Sequence, residues 1–351
     1  MKGAINERNV MLDVVKAFAI ISVVVGHNIQ YGFSADFLRS GAYFDNILFR
    51  IIYSYHMPLF MLISGYLFAF SINRDWRSIV KKKTLSLLVP VFVWGIVKLV
   101  KYVIWQIQND DLTFEEAVIY YFDTSIRHLW FLWAIFWCSL IVLVVNRLFT
   151  DNLAIYTLIF VVSFFVPDGL NLELYKFMYP YFVVGYLFNG KGYKNKIEPY
   201  CNYKLLMVLG VMFSILVSFY SYDSYIYTSG HSILGENILH QMTINLYRYI
   251  IGFVGSGLII LFFYIAVNQW KYKLPLMAYI GRMTMGIYVL SEFIPLPNFV
   301  RTLNDVNYLV VIAEMLYTIL ASIIIIRIIQ ASNVLNTLLL GDNKGRIRVV
   351  R

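Results

Sequence analysis

Apolar runs long enough to cross a bilayer recur along this chain from its beginning nearly to its end, and no other feature limits its fold as strongly. A hydrocarbon layer about 30 Å thick takes roughly 20 apolar residues in a helix. Backbone groups inside that layer have no water to bond, so a helix, which satisfies its own, is the natural crossing element. Composition agrees: 60% of the 351 residues are hydrophobic and 14% are charged, where soluble domains carry about a quarter. The expected fold is an all-α, polytopic membrane bundle of about ten spanning helices.

The runs fall at 10–29, 46–72, 84–107, 128–146, 153–166, 175–190, 203–220, 246–267, 276–295 and 306–331. The fifth and sixth are short, with Pro167-Asp168-Gly169 between them. Lys and Arg sort sharply between the two sets of connecting segments. One set holds Lys2, Arg8, Arg74, Arg77, Lys81, Lys82, Lys83, Arg147, Lys191, Lys194, Lys196, Lys204, Lys271, Lys273, Arg282, Lys344, Arg346, Arg348 and Arg351. The other holds Arg39, Arg127, Lys176 and Arg301. By the positive-inside rule both termini are cytoplasmic, and His27 and His128 lie toward the outer face. The net charge of +9 is thereby assigned to topology, and a nucleic-acid partner is not expected. The chain reads as one membrane-embedded domain, 1–351, with no soluble domain appended. Its first apolar run is too long for a cleavable signal, contains Lys16 and lacks a small-x-small site. Cys138 and Cys201 give neither a disulfide framework nor a metal spacing.

The first run carries Asp13, Lys16 and His27. Lys16 and His27 are about three turns apart and share a face, with roughly 16 Å of helix between them. Ionisable groups inside a span are expensive and mark functional sites by default. The plainer alternative is an Asp13–Lys16 pair, with His27 hydrated at the interface. In the second run, Tyr55-His56-Met57-Pro58 places a helix-distorting proline beside a histidine. That arrangement either opens a polar cavity or holds a packed histidine on a neighbouring carbonyl. The fourth run opens on Arg127-His128-Leu129-Trp130, which is either an interfacial belt or a second catalytic group.

The loop from Arg74 and Arg77 to Lys81, Lys82 and Lys83 leads into Leu87-Leu88-Val89-Pro90. It is a topology anchor or a grip for phosphates. Arg50, Lys98, Lys101, Arg248, Glu292, Glu314 and Arg327 add polar groups within apolar runs, some free to snorkel. The acidic segment from Asp110 to Asp123 reads as amphipathic and surface-lying. Segment 221–245, with Tyr222, Tyr225, Tyr227, His231, Glu236 and His240, is a sugar-binding surface or an aromatic belt. There is no Gly-rich phosphate loop, no Gly-x-Ser-x-Gly elbow and no Cys/His cluster.

Several of these motifs occur in a recognisable order. They are the Asp-x-x-Lys…His of the first run, the His-Met-Pro-Leu-Phe…Ser-Gly-Tyr of the second, the basic run before Leu-Leu-Val-Pro, and His-Leu-Trp-Phe-Leu. Together they resemble the membrane acyltransferase-3 family, in particular its fucose 4-O-acetylase-like branch, which modifies bacterial surface glycans. Ile280-Gly281-Arg282-Met283-Thr284 through Tyr288 resembles the family's late Gly-Arg-x-Ser-x-x-x-Tyr stretch.

The resemblance implies an O-acyltransferase of the bacterial cytoplasmic (inner) membrane. It would use cytoplasmic acetyl-CoA as co-substrate, with no permanently bound cofactor and no metal. His27 matches the catalytic histidine, and Lys16 stands where the family usually has Arg. Lys83 matches the first position of an Arg-x-x-Arg motif tied to the acyl donor. Ser86 occupies the second, so Lys81, Lys82 or Arg77 would have to compensate.

The expected reaction moves acetyl from acetyl-CoA to a hydroxyl of a cell-surface or lipid-linked glycan. His27 would be the general base or a transient acyl carrier, with His128 or His56 orienting it or stabilising the oxyanion. Trp130, Tyr225 and Tyr227 are the expected acceptor contacts, and membrane lipids and envelope-glycan assembly proteins the expected partners. A polysaccharide flippase or transporter is the competing reading.

Overall fold

The structure is a computed structural model that describes residues 9–107, 113–190, 196–235, 237–295, 303 and 305–342. Lys2, Arg8, Asp110, Asp111, Lys191, Lys194, Glu236, Arg301 and the cations from Lys344 onward lie outside the described residues.

Among the described residues every regular element is helical. Six helices are long and apolar enough to cross a membrane: α1 (Val10–Tyr31), α2 (Ile47–Ala69), α3 (Trp76–Ile107), α5 (Trp130–Phe149), α9 (Ile238–Gln269) and α12 (Tyr308–Ile329). Between them lie α4 (Phe114–Arg127), the short apolar α6 (Leu153–Ser163), α7 (Leu172–Gly190) and α8 (Tyr203–Ser218). The run read as one span at 276–295 is two eight-residue helices, α10 (Pro275–Arg282) and α11 (Thr284–Ser291). The break has a local cause. Met283 leaves helical geometry, and the Thr284 hydroxyl donates to the Gly281 carbonyl at 2.7 Å. Last comes α13 (Asn333–Leu340).

The helices start and bend where side chains dictate. Asn9 caps α1 by accepting from the Leu12 N–H, and Asp13 in the first turn suits the positive end of the helix dipole. Thr113 and Glu116 form a reciprocal capping box on α4, the amphipathic helix of the acidic segment. In α3 a π-turn over Thr84–Leu88 follows Lys83 directly, an irregularity that often accompanies functional sites.

The chain divides into two compact units. The first comprises Met1–Ile63, Gly192–Tyr225 and Leu246–Ile323. Its centre is α1, which buries Val14, Val15, Ala17, Ala19 and Ile20 completely. α10 approaches α1 so closely that a Cβ on Gly281 would fall on the Asp13 backbone, which explains a glycine in that motif. Beyond the end of α1, Phe33, Phe37, Phe44, Phe49 and Tyr225 form an aromatic core. The buried Arg248 donates to the carbonyls of Asp223, Ser224 and Tyr225 and fixes that loop beside the core.

The second unit comprises Ser64–Lys191, Ile226–Asn245 and Ile324–Arg351. α5 packs on α7, and Gly65 lets α2 meet the Phe182 backbone of α7. Asp151 gathers the Tyr156 and Tyr186 hydroxyls and the Asn146 amide, at 2.8, 2.8 and 2.9 Å. α13 is tied to α3 by the Trp94 indole N–H, which donates to the Leu339 carbonyl at 2.9 Å.

Candidate active site

In the first unit, Asp13 and Lys16 form their i,i+3 ion pair at 2.7 Å. Lys16 and His27 share the unbroken α1, and about 16 Å of helix separates them. Lys16 is therefore not a direct partner of His27.

His27 is half-buried, and its ring meets Tyr31 one turn on, edge to face, with centroids 5.8 Å apart. Glu292, just past α11, is a charged neighbour of the imidazole and acts on the Tyr31 phenol as well. The sequence reading placed Glu292 only among scattered polar groups. Nothing in its local sequence ties it to His27, because only tertiary folding brings the two within electrostatic reach.

His56 is within electrostatic reach of His27. It is buried, its Nδ1 lies 2.7 Å from the Ile52 carbonyl, and its ring stands edge-on to Tyr53 at 4.8 Å. A carbonyl can only accept, so Nδ1 carries the proton and Nε2 is the acceptor. Gln30 organises the wall behind these rings. Its amide nitrogen donates to the Tyr225 hydroxyl at 3.1 Å, and its oxygen accepts from the Tyr53 hydroxyl at 2.5 Å. Tyr225 is 6% exposed, enclosed by Phe44, Phe49 and Tyr53. It supports the site from behind, and the open phenols here are Tyr31 and Tyr222, at 51% and 60% exposed.

In the second unit, the basic run borders a cavity of about 320 Å³. Arg74, Lys82 and Lys83 line it together with Ser64, Ser71, Ser78 and Ser86, over a floor that includes Phe68. Among the described residues no carboxylate lines it. The Lys83 ammonium lies over the Phe68 ring at 5.0 Å. Lys81 and Arg77 are exposed and do not line the cavity; the Arg77 guanidinium lies 5.5 Å from the Trp76 ring centre. Arg74, at the start of the basic loop, lines the cavity beside Lys82 and Lys83. Asp75, the next residue, caps α3 by accepting from the Ser78 N–H. Arg147 holds that turn through the carbonyls of Ile72 and Arg74.

His128 caps the end of α4, with its Nδ1 2.6 Å from the Lys98 ammonium. Trp130 and Tyr227 stand edge to face at 6.5 Å, with Tyr227 largely exposed. Among the described residues no group of His, Cys, Asp and Glu is arranged to hold a metal ion.

The chain matches the acyltransferase-domain family over residues 9–328. Nodulation protein NolL of Mesorhizobium japonicum is 25% identical over 236 residues, covering 65% of this chain and 60% of the relative. Nodulation protein NolL of Sinorhizobium fredii is 28% identical over 197 residues, covering 52% and 49%. The chain therefore spans only about half to three-fifths of the length of these curated relatives. No solved structure matches it. The family match runs from the cap of α1 to the last turn of α12 and takes in helices long and apolar enough for several membrane crossings; the chain belongs to the membrane acyltransferase-3 family.

Proposed function

We propose that this protein transfers an acetyl group from acetyl-CoA to a hydroxyl of a cell-surface or lipid-linked glycan. The observation that carries this reading is His27, an imidazole on an apolar helix with the Glu292 carboxylate as a charged neighbour. A histidine beside a carboxylate suits proton abstraction from a hydroxyl, because the carboxylate orients the ring and stabilises the imidazolium. His27 takes the proton as the sugar oxygen attacks the thioester carbonyl. The tetrahedral intermediate then expels the CoA sulfur, which takes that proton from the imidazolium. The products are an acetyl ester and free CoA. Glu292 is a positioning residue in this scheme.

The cavity lined by Arg74, Lys82 and Lys83 supports donor binding. CoA is rich in phosphate, and a charge-assisted contact is worth about 1.5–3 kcal/mol. Arg74 makes up for Ser86 at the position where the family pattern has a second basic residue. His128 has the tautomer of a hydrogen-bond donor, because Lys98 occupies its Nδ1; that suits an oxyanion better than it suits a base. In the topology that fits this chemistry, about ten spans cross a bacterial cytoplasmic membrane with both termini inside. The basic loop then faces cytoplasmic acetyl-CoA.

The test is transfer by purified protein. With radiolabelled acetyl-CoA and envelope glycan, label should appear on the glycan as a hydroxylamine-labile ester. His27→Ala should lower the rate by roughly 10²–10⁴, the usual contribution of a positioned base. Glycan translocation without any ester formed would favour a flippase instead.

A further inference from the structure

The end of α1 carries a feature that the transfer chemistry leaves unused. Tyr31 lies one helical turn past His27, on the same side of the helix. Half of its surface is open, although its ring is fixed against the imidazole. Tyr222, more open still, packs its ring 4.8 Å from that of Phe44. Tyr43 packs on the same Phe44 at 4.5 Å and is within electrostatic reach of both Tyr31 and Tyr222.

We propose that Tyr31, Tyr43 and Tyr222 form the shelf on which the acceptor's sugar ring rests, and that this sugar is uncharged. The inference rests on the acetyl-transfer reading and names the acceptor class for the same site.

An interfacial belt would place its tyrosines singly, each toward lipid. Here Tyr43 and Tyr222 share one base in Phe44, and Tyr31, against His27, is within electrostatic reach of Tyr43. Phe44, Phe49 and Tyr225 beneath them are buried, Gln30 ties Tyr53 to Tyr225, and Arg248 holds three consecutive carbonyls of the Tyr222 loop. A platform that is already ordered costs little entropy when it binds. A phenol ring offers an apolar face to the C–H side of a pyranose and a hydroxyl at its edge for the sugar's polar rim. A ring lying against Tyr31 presents its hydroxyls to an imidazole whose centre is 5.8 Å from the phenol's.

Charge selects against acidic sugars. The Glu292 carboxylate acts on both His27 and Tyr31. It can accept hydrogen bonds from sugar hydroxyls, and it repels a uronate. Of the cations described in this base, Arg50 is turned to the Phe44 carbonyl at 2.5 Å and to Asp45 at 3.6 Å, and Arg248 to the carbonyls of the Tyr222 loop.

The experiment uses full-length protein in detergent, saturating acetyl-CoA, and two acceptor probes: a neutral methyl hexopyranoside and its uronic-acid counterpart. Wild type should acetylate the neutral glycoside at least about tenfold more efficiently than the uronate, the difference expressed as kcat/KM. Tyr31→Ala and Tyr222→Ala should each raise the acceptor KM about tenfold or more while kcat and the acetyl-CoA KM stay within about threefold. Tyr31→Phe, which keeps the ring face and loses the edge hydroxyl, should raise the acceptor KM clearly less than Tyr31→Ala does. If Tyr31→Ala does not fold, the exposed Tyr222→Ala carries the same expectation. Unchanged acceptor KM in the alanine variants, or equal use of the uronate, overturns the shelf while leaving acetyl transfer intact. Absence of any ester from wild type overturns the transfer reading and the shelf together.

Discussion

The Lys98 ammonium lies 2.6 Å from Nδ1 of His128. An ammonium can only donate, so Nδ1 accepts and the imidazole proton sits on Nε2. His128 is thereby prepared to give a hydrogen bond and not to take a proton. On the proposed oxyanion role, His128→Ala should lose roughly 10²–10³ in kcat, the cost of one oxyanion donor. His128→Gln, whose amide still donates, should lose about tenfold or less. Lys98→Met should impair kcat, and the Lys98→Met/His128→Ala double variant should be little worse than His128→Ala alone, because the two residues act as one unit. Additive losses in that cycle would separate them.

His27 and Glu292 lead to a different pattern. His27→Gln should be nearly as damaging as His27→Ala, since an amide cannot take the proton. Glu292→Gln should lower kcat less than either, by roughly tenfold, because it removes orientation and charge but leaves the base. Near-normal acetylation by His27→Gln would remove His27 from the chemistry. Lys16→Arg should be tolerated, while Lys16→Ala should take the Lys16 ammonium from the buried Asp13 and impair turnover.

The basic cavity separates residues that look alike in sequence. Arg74→Met should raise the acetyl-CoA KM about tenfold, the worth of one good charge-assisted contact. Arg77→Met should leave it unchanged, because Arg77 rests on Trp76 outside the cavity. Adding Ser86→Arg to Arg74→Met should recover much of the lost affinity, since Ser86 lines the same space. Donor KM measured on these variants decides whether Arg74 holds phosphate.

The close approach of α10 to α1 gives a stability prediction. Gly281→Ala would drive a methyl into the Asp13 backbone, and neither helix can yield without repacking. The cost of such overpacking is about 1–3 kcal/mol. It should appear as a lower unfolding temperature in detergent, together with reduced turnover as the start of α1 shifts. An unchanged melt would mean that α10 moves away freely.

What could be read in the chain and what could not follows from how each residue reaches its place. Apolar runs and the Asp13–Lys16 pair are local, so helix period and spacing reveal them. The break at Met283 was invisible to hydropathy, which does not register a threonine hydroxyl bonding the preceding turn. Arg74 and Arg77 look alike in the basic loop, and only the fold puts the first on the cavity and the second outside it. Lys98 and His128 lie on separate helices, and Glu292 comes within electrostatic reach of His27 from the far end of the sequence. Tyr225 looks like its neighbours Tyr222 and Tyr227, and only the aromatic core of Phe44 and Phe49 buries it.

Asp168, in the turn that the sequence marked merely as a separator, supplies a pH-dependent contribution to stability. One carboxylate oxygen receives the Lys176 ammonium at 2.5 Å; the other receives the His231 and Ser232 backbone N–H groups at 2.7 and 2.9 Å. These bonds fasten segment 230–232 to the start of α7. Burial acts to raise the Asp168 pKa, but Lys176 and the two N–H groups overcome it and hold the carboxyl below its usual range. A folded-state pKa below the unfolded value of about 3.9 means that the unfolded chain takes up the proton first as pH falls. The stabilisation is therefore complete at neutral pH and is lost as acidity rises through the folded value. Asp168→Asn removes the ion pair and leaves Lys176, 6% exposed, without that carboxylate. The cost is on the order of 2 kcal/mol, discounted from a fully buried pair because the Asp168 side chain is 28% exposed. In detergent, wild type should unfold a few degrees above Asp168→Asn at pH 7. That gap should shrink steadily below about pH 5. An equal gap at pH 7 and at pH 3.5 would show that the charge on Asp168 is not what holds the turn.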